Sequence, residues 1–191
     1  MKKSLKHVRA DDIRNVIKYF GRNVLRRERK TKILTYFARY LHFDERWAQS
    51  ELCHMISQKY PHKYVWMEDK RRDCTIYSGK GKEEDLECVI EIKTVKNFDI
   101  GYWLSPLKRD IVKLKNEKCA LRIFVVISLT GKPKKDKQKD KTYEKYTNKD
   151  ELHRRLKNEM RRACKLKRLI DVDFNAQDME EMNLSIYWAI I

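Results

Sequence analysis

One ten-residue run, LECVIEIKTV at 86–95, constrains the fold of this 191-residue chain more than any other segment. Its β-branched and apolar residues specify a strand whose composition calls for burial, yet it carries Glu91 and Lys93. Successive side chains of a strand leave opposite faces, so Val89, Glu91, Lys93 and Val95 share one face and Cys88, Ile90, Ile92 and Thr94 the other. E-x-K occurs three times in the chain, at Glu28–Lys30, Glu68–Lys70 and Glu91–Lys93, and only the last is embedded in apolar residues. The other two read as solvated surface. A same-face ion pair on a half-exposed strand would be the plain account of Glu91 and Lys93, worth about 0–1 kcal/mol.

Around this run the hydrophobic periodicity alternates between helix and strand. Asp11 or Asp12 can cap DDIRNVIKYF, with Gly21 placed to end it, and Ile33, Leu34, Phe37, Tyr40 and Leu41 recur at helical spacing. A further helix is expected from an Asp44 cap to Lys59, with Ala48, Leu52, Met55 and Ile56 inward and Glu51 beside that stripe. Three strand-like pieces follow, at 63–67, 73–78 and 86–95. Ser105 and Pro106 mark the start of a helix with Leu107, Ile111 and Leu114 on one face. LRIFVVISL at 121–129 reads as a strand, 131–149 as a charged mobile loop, 150–168 as a basic amphipathic helix and 184–191 as a closing strand. This order predicts an α/β or α+β domain with a central mixed sheet flanked by helices. Residues 1–43 read as a basic helical N-terminal extension and 44–191 as the main domain.

Charge narrows the partner. The chain carries 45 Lys and Arg against 28 Asp and Glu, a formal net charge of +17. The excess lies in residues 1–40 and 132–170, at about +10 each, on either side of a nearly neutral centre, while the last 21 residues are acidic. Such a distribution favours an anionic partner, nucleic acid or a charged membrane surface. No apolar run reaches the roughly 18 residues of a membrane span, so a soluble, cytoplasmic protein is expected. Five cysteines without a CxxC, and five histidines without metal-binding spacing, point to reduced thiols and packing residues. The GKPKK and SGKGK stretches lack the frame of a phosphate-binding loop.

Asp73 opens the strand expected to pair with the Glu91 strand. Two ionised carboxylates at about 4 Å repel by roughly 4 kcal/mol at an effective dielectric near 20, so the pair calls for a cation. Mg²⁺ is the hard cation that one or two carboxylates hold while leaving room for water and phosphate. A neighbouring lysine can orient the attacking water or stabilise charge on phosphorus. Two acids and a lysine on adjacent strands therefore suit phosphodiester hydrolysis.

In these residues the chain resembles the PD-(D/E)XK nucleases of the restriction-endonuclease-like superfamily, over roughly residues 44–129. Asp73 matches the first acid, and Glu91 and Lys93 match the second half-motif. The resemblance implies a restriction-endonuclease-like core and a Mg²⁺-dependent nuclease, with an endonuclease the expected form and Mn²⁺ able to substitute. It further implies that Asp73 and Glu91 are metal ligands, the backbone carbonyl of Ile92 a third, and Lys93 the catalytic lysine. Glu51 falls where many members carry a helical acid that assists metal binding, although Glu45 or Asp44 could serve instead. The chain departs from the family in placing Arg72 where a proline often stands, and in lacking a Q-x-x-x-Y after the ExK strand.

Lys108 and Arg109, near the start of the helix after the ExK strand, are candidate phosphate contacts. Arg154, Arg155, Arg161 and Arg162 of the basic helix would wall a positive groove. Tyr102 and Trp103 could be core anchors or a wedge against substrate. The expected partner is nucleic acid, DNA ahead of RNA, and cutting both strands would imply a homodimer. The alternative is a non-catalytic nucleic-acid-binding protein of the same fold.

Overall fold

The computed structural model describes residues 7–31, 45–79, 81–95, 100–133, 149–176 and 179–191. Within them the order is α1 (Ala10–Thr31), α2 (Glu45–Lys59), β1 (Tyr64–Asp69), β2 (Arg72–Tyr77), β3 (Leu86–Val95), α3 (Ile100–Lys115), β4 (Leu121–Pro133), α4 (Lys149–Met160), β5 (Lys167–Ala176) and β6 (Met179–Ile190). A single 3₁₀ turn, Glu83–Asp85, joins β2 to β3. The six strands form one mixed sheet in the order β1-β2-β3-β4-β6-β5, and the fold is α+β. Only β3 and β4 pair in parallel, joined by the α3 crossover that parallel neighbours require.

Strand alternation divides the core between two sides of the sheet. Cys88, Ile90 and Ile92 of β3 and Ile123, Val125 and Ile127 of β4 meet Ile13, Ile17 and Phe20 of α1 and Leu52 and Ile56 of α2. On the opposite side Val89, Val95, Phe124 and Val126 meet Leu107, Ile111 and Leu114 of α3 and Leu152, Leu156 and Met160 of α4. The strand β3 is thus covered on both faces, which is why its composition is so apolar. The helical segment α1, expected within an N-terminal extension, buries its stripe in the same core cluster as α2.

Several boundaries differ from the sequence expectation for physical reasons. Helix α1 runs past Gly21, which is no terminator: a Cβ there would lie 2.9 Å from both Ile170 Cγ1 and Ile186 Cδ1. The glycine lets the helix approach the sheet closely. Helix α3 begins five residues before Ser105 and carries Pro106 within it. The basic helix stops at Met160, and 167–176 form β5, a strand whose first two residues the expected helix had taken and whose remainder was assigned to no element. The closing strand starts at Met179. The helix expected over 33–41, the Asp44 cap and most of the 131–149 loop fall outside the described residues. Residues 131–133 of that expected loop belong to β4, and Lys149 opens α4.

Candidate functional site

Antiparallel pairing places Asp73 beside Glu91. Thr75 is the partner of Val89 and Cys74 that of Ile90, after which the β2–β3 ladder ends. Asp73, one residue before Cys74, therefore lies on the face of Glu91 and Lys93. The far half of β3 is left without a strand on that edge, and side chains take over the backbone groups there. Asp73 Oδ2 accepts a hydrogen bond from Ile92 N–H at 2.7 Å, and Glu45 Oε2 accepts one from Thr94 N–H at 3.1 Å. A residue's N–H and C=O leave a strand on the same side, so the Ile92 carbonyl also faces the edge occupied by Asp73.

Three carboxylates surround Lys93. Its Nζ lies 3.0 Å from Glu45 Oε1, 3.7 Å from Asp110 Oδ2 and 3.9 Å from Asp73 Oδ2. Burial disfavours the ammonium, but Asp73, Glu45 and Asp110 outweigh it and hold the pKa of Lys93 above that of an ordinary lysine. Glu91 is only 1% exposed, and its Oε1 accepts a hydrogen bond from Lys113 Nζ at 2.7 Å. Lys113 also donates to the Arg71 carbonyl. Burial and the nearby Asp73 charge push Glu91 up to about 7 despite the Lys113 contact. Burial likewise raises Asp73, against the pull of Lys93.

Glu45, Asp73, Glu91 and Asp110 thus meet Lys93 and Lys113 in one cluster, an excess of acid in a chain with a net charge of +17. Among the described residues no three His, Cys, Asp or Glu side chains stand together as a ready-made metal cage. The donors nonetheless fit a hard cation in kind: they are all oxygens, and Asp73 is close enough for its charge to disturb Glu91. Both lysines lie among the carboxylates, where they partly compensate them.

The gathering includes Asp73, Glu91, Ile92 and Lys93 but not Glu51. That residue pairs with Arg27 of α1 at 2.8 Å, and Glu45, nearly two turns earlier on α2, reaches Lys93 instead. Of the acids considered on this helix, Glu45 is thus the one that the structure brings to Lys93. At 1.5 Å rise per residue, the six positions between Glu45 and Glu51 displace a side chain by about 9 Å along the helix axis. Asp110 and Lys113 were missed by sequence reasoning. Their signal was the i, i+3 spacing along the flank of the Leu107–Ile111–Leu114 stripe, which turns both toward β3. Arg72, in the position of the family's proline, pins β2 to two neighbours, with Nη1 2.9 Å from Glu83 Oε1 and Nη2 2.7 Å from Glu117 Oε2.

The candidate phosphate contacts lie farther out. Lys108 and Arg109 fall in the third turn of α3, so the field of the helix N-terminus does not explain them. Lys108 lies 3.4 Å from Glu159 of α4, and Arg109 is exposed. Arg154 is exposed on α4, while Arg155 pairs with Glu151 at 3.1 Å. Arg161 and Arg162 are exposed in the turn after α4 and not on a helix. Tyr102 is 72% exposed, whereas Trp103 packs on the α3–α4 core with its ring edge-on to Tyr102 at 5.3 Å. No helix among the described residues is long and apolar enough to cross a membrane.

Compared with protein-family models, curated proteins and solved structures, the chain matches none.

Proposed function

We propose that this protein is a metal-dependent nuclease with a restriction-endonuclease-like core, acting on DNA. One observation carries the reading: Asp73, Glu91 and Lys93 converge where the β2–β3 ladder ends, with Lys93 Nζ held among three carboxylates. Partly buried titratable groups held among specific charge partners cluster at functional sites, which supports this reading.

Asp73, Glu91 and the Ile92 carbonyl would hold Mg²⁺, with Mn²⁺ able to replace it. When bound, the metal supplies Lewis-acid polarisation of a phosphoryl oxygen and acidifies water. Lys93 orients the attacking water and stabilises charge developing on the phosphoryl group. Glu45 and Asp110 keep the Lys93 ammonium charged and aimed. Lys108, Arg109, Arg154, Arg155, Arg161 and Arg162 grip the phosphate backbone without reading sequence.

The non-catalytic alternative has an observation of its own: Glu45 and Glu91 already have ammonium partners at 3.0 and 2.7 Å. Glu91→Ala separates the two readings. The nuclease reading requires loss of Mg²⁺-dependent cleavage with nucleic-acid binding retained. Salt-sensitive binding by both proteins, without metal binding or cleavage by either, supports the alternative.

A further inference from the structure

Lys113 is a second lysine of the site, and the ExK pattern does not account for it. Its Nζ donates to Glu91 Oε1 at 2.7 Å and to the backbone carbonyl of Arg71, so one ammonium bridges a buried carboxylate and a main-chain oxygen. Two oxygens converging on one positive centre are also what a hard cation seeks.

The backbone that offers this carbonyl is the two-residue turn between β1 and β2. Lys70 and Arg71, the two residues that connect β1 to β2, adopt φ values of 51° and 68°, and Glu68 near the end of β1 has a φ of 55°. Non-glycine residues rarely occupy this left-handed region, and positive φ at both connecting residues is what a two-residue hairpin connection demands. This tight turn presents the Arg71 carbonyl to Lys113 Nζ. The Lys113 side chain is 36% exposed while that of Glu91 is 2% exposed, so the lysine can withdraw toward solvent and the carboxylate cannot.

We propose that Lys113 is a positioning residue that competes with a divalent cation for Glu91 Oε1 and, once displaced, stands beside the reacting phosphate. The inference rests on the metal-dependent reading of the site and adds a built-in exchange of one cation for another. Lys113 fixes the Glu91 rotamer in the protein alone. Metal binding releases its charge toward an incoming phosphodiester, so the metal and substrate sites are coupled through one side chain.

Mn²⁺ titration into the full-length chain, followed by calorimetry, tests the competition without requiring cleavage. Lys113→Gln should bind Mn²⁺ about fivefold or more tightly than wild type, since both a competing ligand and a repelling charge are gone. Lys113→Arg, which keeps the charge, should show no such gain. Equal or weaker binding by a folded Lys113→Gln overturns the exchange and leaves the nuclease reading intact. Absence of Mn²⁺ binding by wild type and both variants overturns the exchange and the metal-dependent reading together.

Discussion

Lys93 Nζ lies 3.0 Å from Glu45 Oε1, a contact that ties the central strand β3 to the first residue of α2. Glu45 also caps the free edge of that strand by accepting the Thr94 N–H at 3.1 Å, so one carboxylate fixes both the lysine and the backbone beside it. Glu45→Gln should therefore lower cleavage by roughly a hundredfold, in the range found when a group that organises transition-state charge is lost. Glu51→Gln, which breaks only the Arg27 pair on the outer surface, should leave cleavage near wild type and cost at most about 1 kcal/mol of stability. Single-turnover rates of the two variants, with urea denaturation alongside, check both statements. The reverse ranking would place the helical acid back at Glu51.

Gly21 offers a test of the fold that is separate from the chemistry. A methyl group there would meet Ile170 and Ile186 side chains at 2.9 Å, so Gly21→Ala should destabilise the protein by about 1–3 kcal/mol through overpacking, more than any gain in helix propensity returns. The shift is measured by urea denaturation. A stability equal to or above wild type would mean that α1 does not rest closely on β5 and β6.

Much of this was legible in LECVIEIKTV. The strand formed over the expected residues, and alternation placed Glu91 and Lys93 on one face, because a period of two leaves no freedom once the strand is granted. Asp73 followed from pairing across a short connection. The acids contributed by helices were harder to see. Glu45 and Glu51 border similar stripes, and the choice between them depends on where α2 meets the end of β3, a tertiary relation that no local pattern encodes. Asp110 and Lys113 were hidden by taking Ser105–Pro106 as a helix start, which drew attention to Lys108 and Arg109. Strand β5 was lost because its leading Lys167 and Arg168 continue the basic pattern of the preceding helix, although Ile170, Val172 and Phe174 already alternate with acids.

Nucleic-acid binding should depend steeply on salt, and residues beyond the site should set the slope. Replacing Arg161 and Arg162 together by alanine should weaken binding to all sequences alike and reduce the slope of log K against log salt by about 1 for each phosphate contact removed. Fluorescence anisotropy at several salt concentrations measures this. A slope unchanged from wild type would remove these arginines from the binding surface.

The most direct test is cleavage by wild type and Lys93→Ala, side by side. The substrates are supercoiled plasmid, linear duplex, branched DNA, single-stranded DNA and structured RNA, each with Mg²⁺, Mn²⁺ or EDTA. The expected result is cleavage by wild type that requires a divalent metal, reduced by at least about a hundredfold in Lys93→Ala while binding persists. Undiminished metal-dependent cleavage by Lys93→Ala, or no cleavage of any substrate by wild type, would contradict the account.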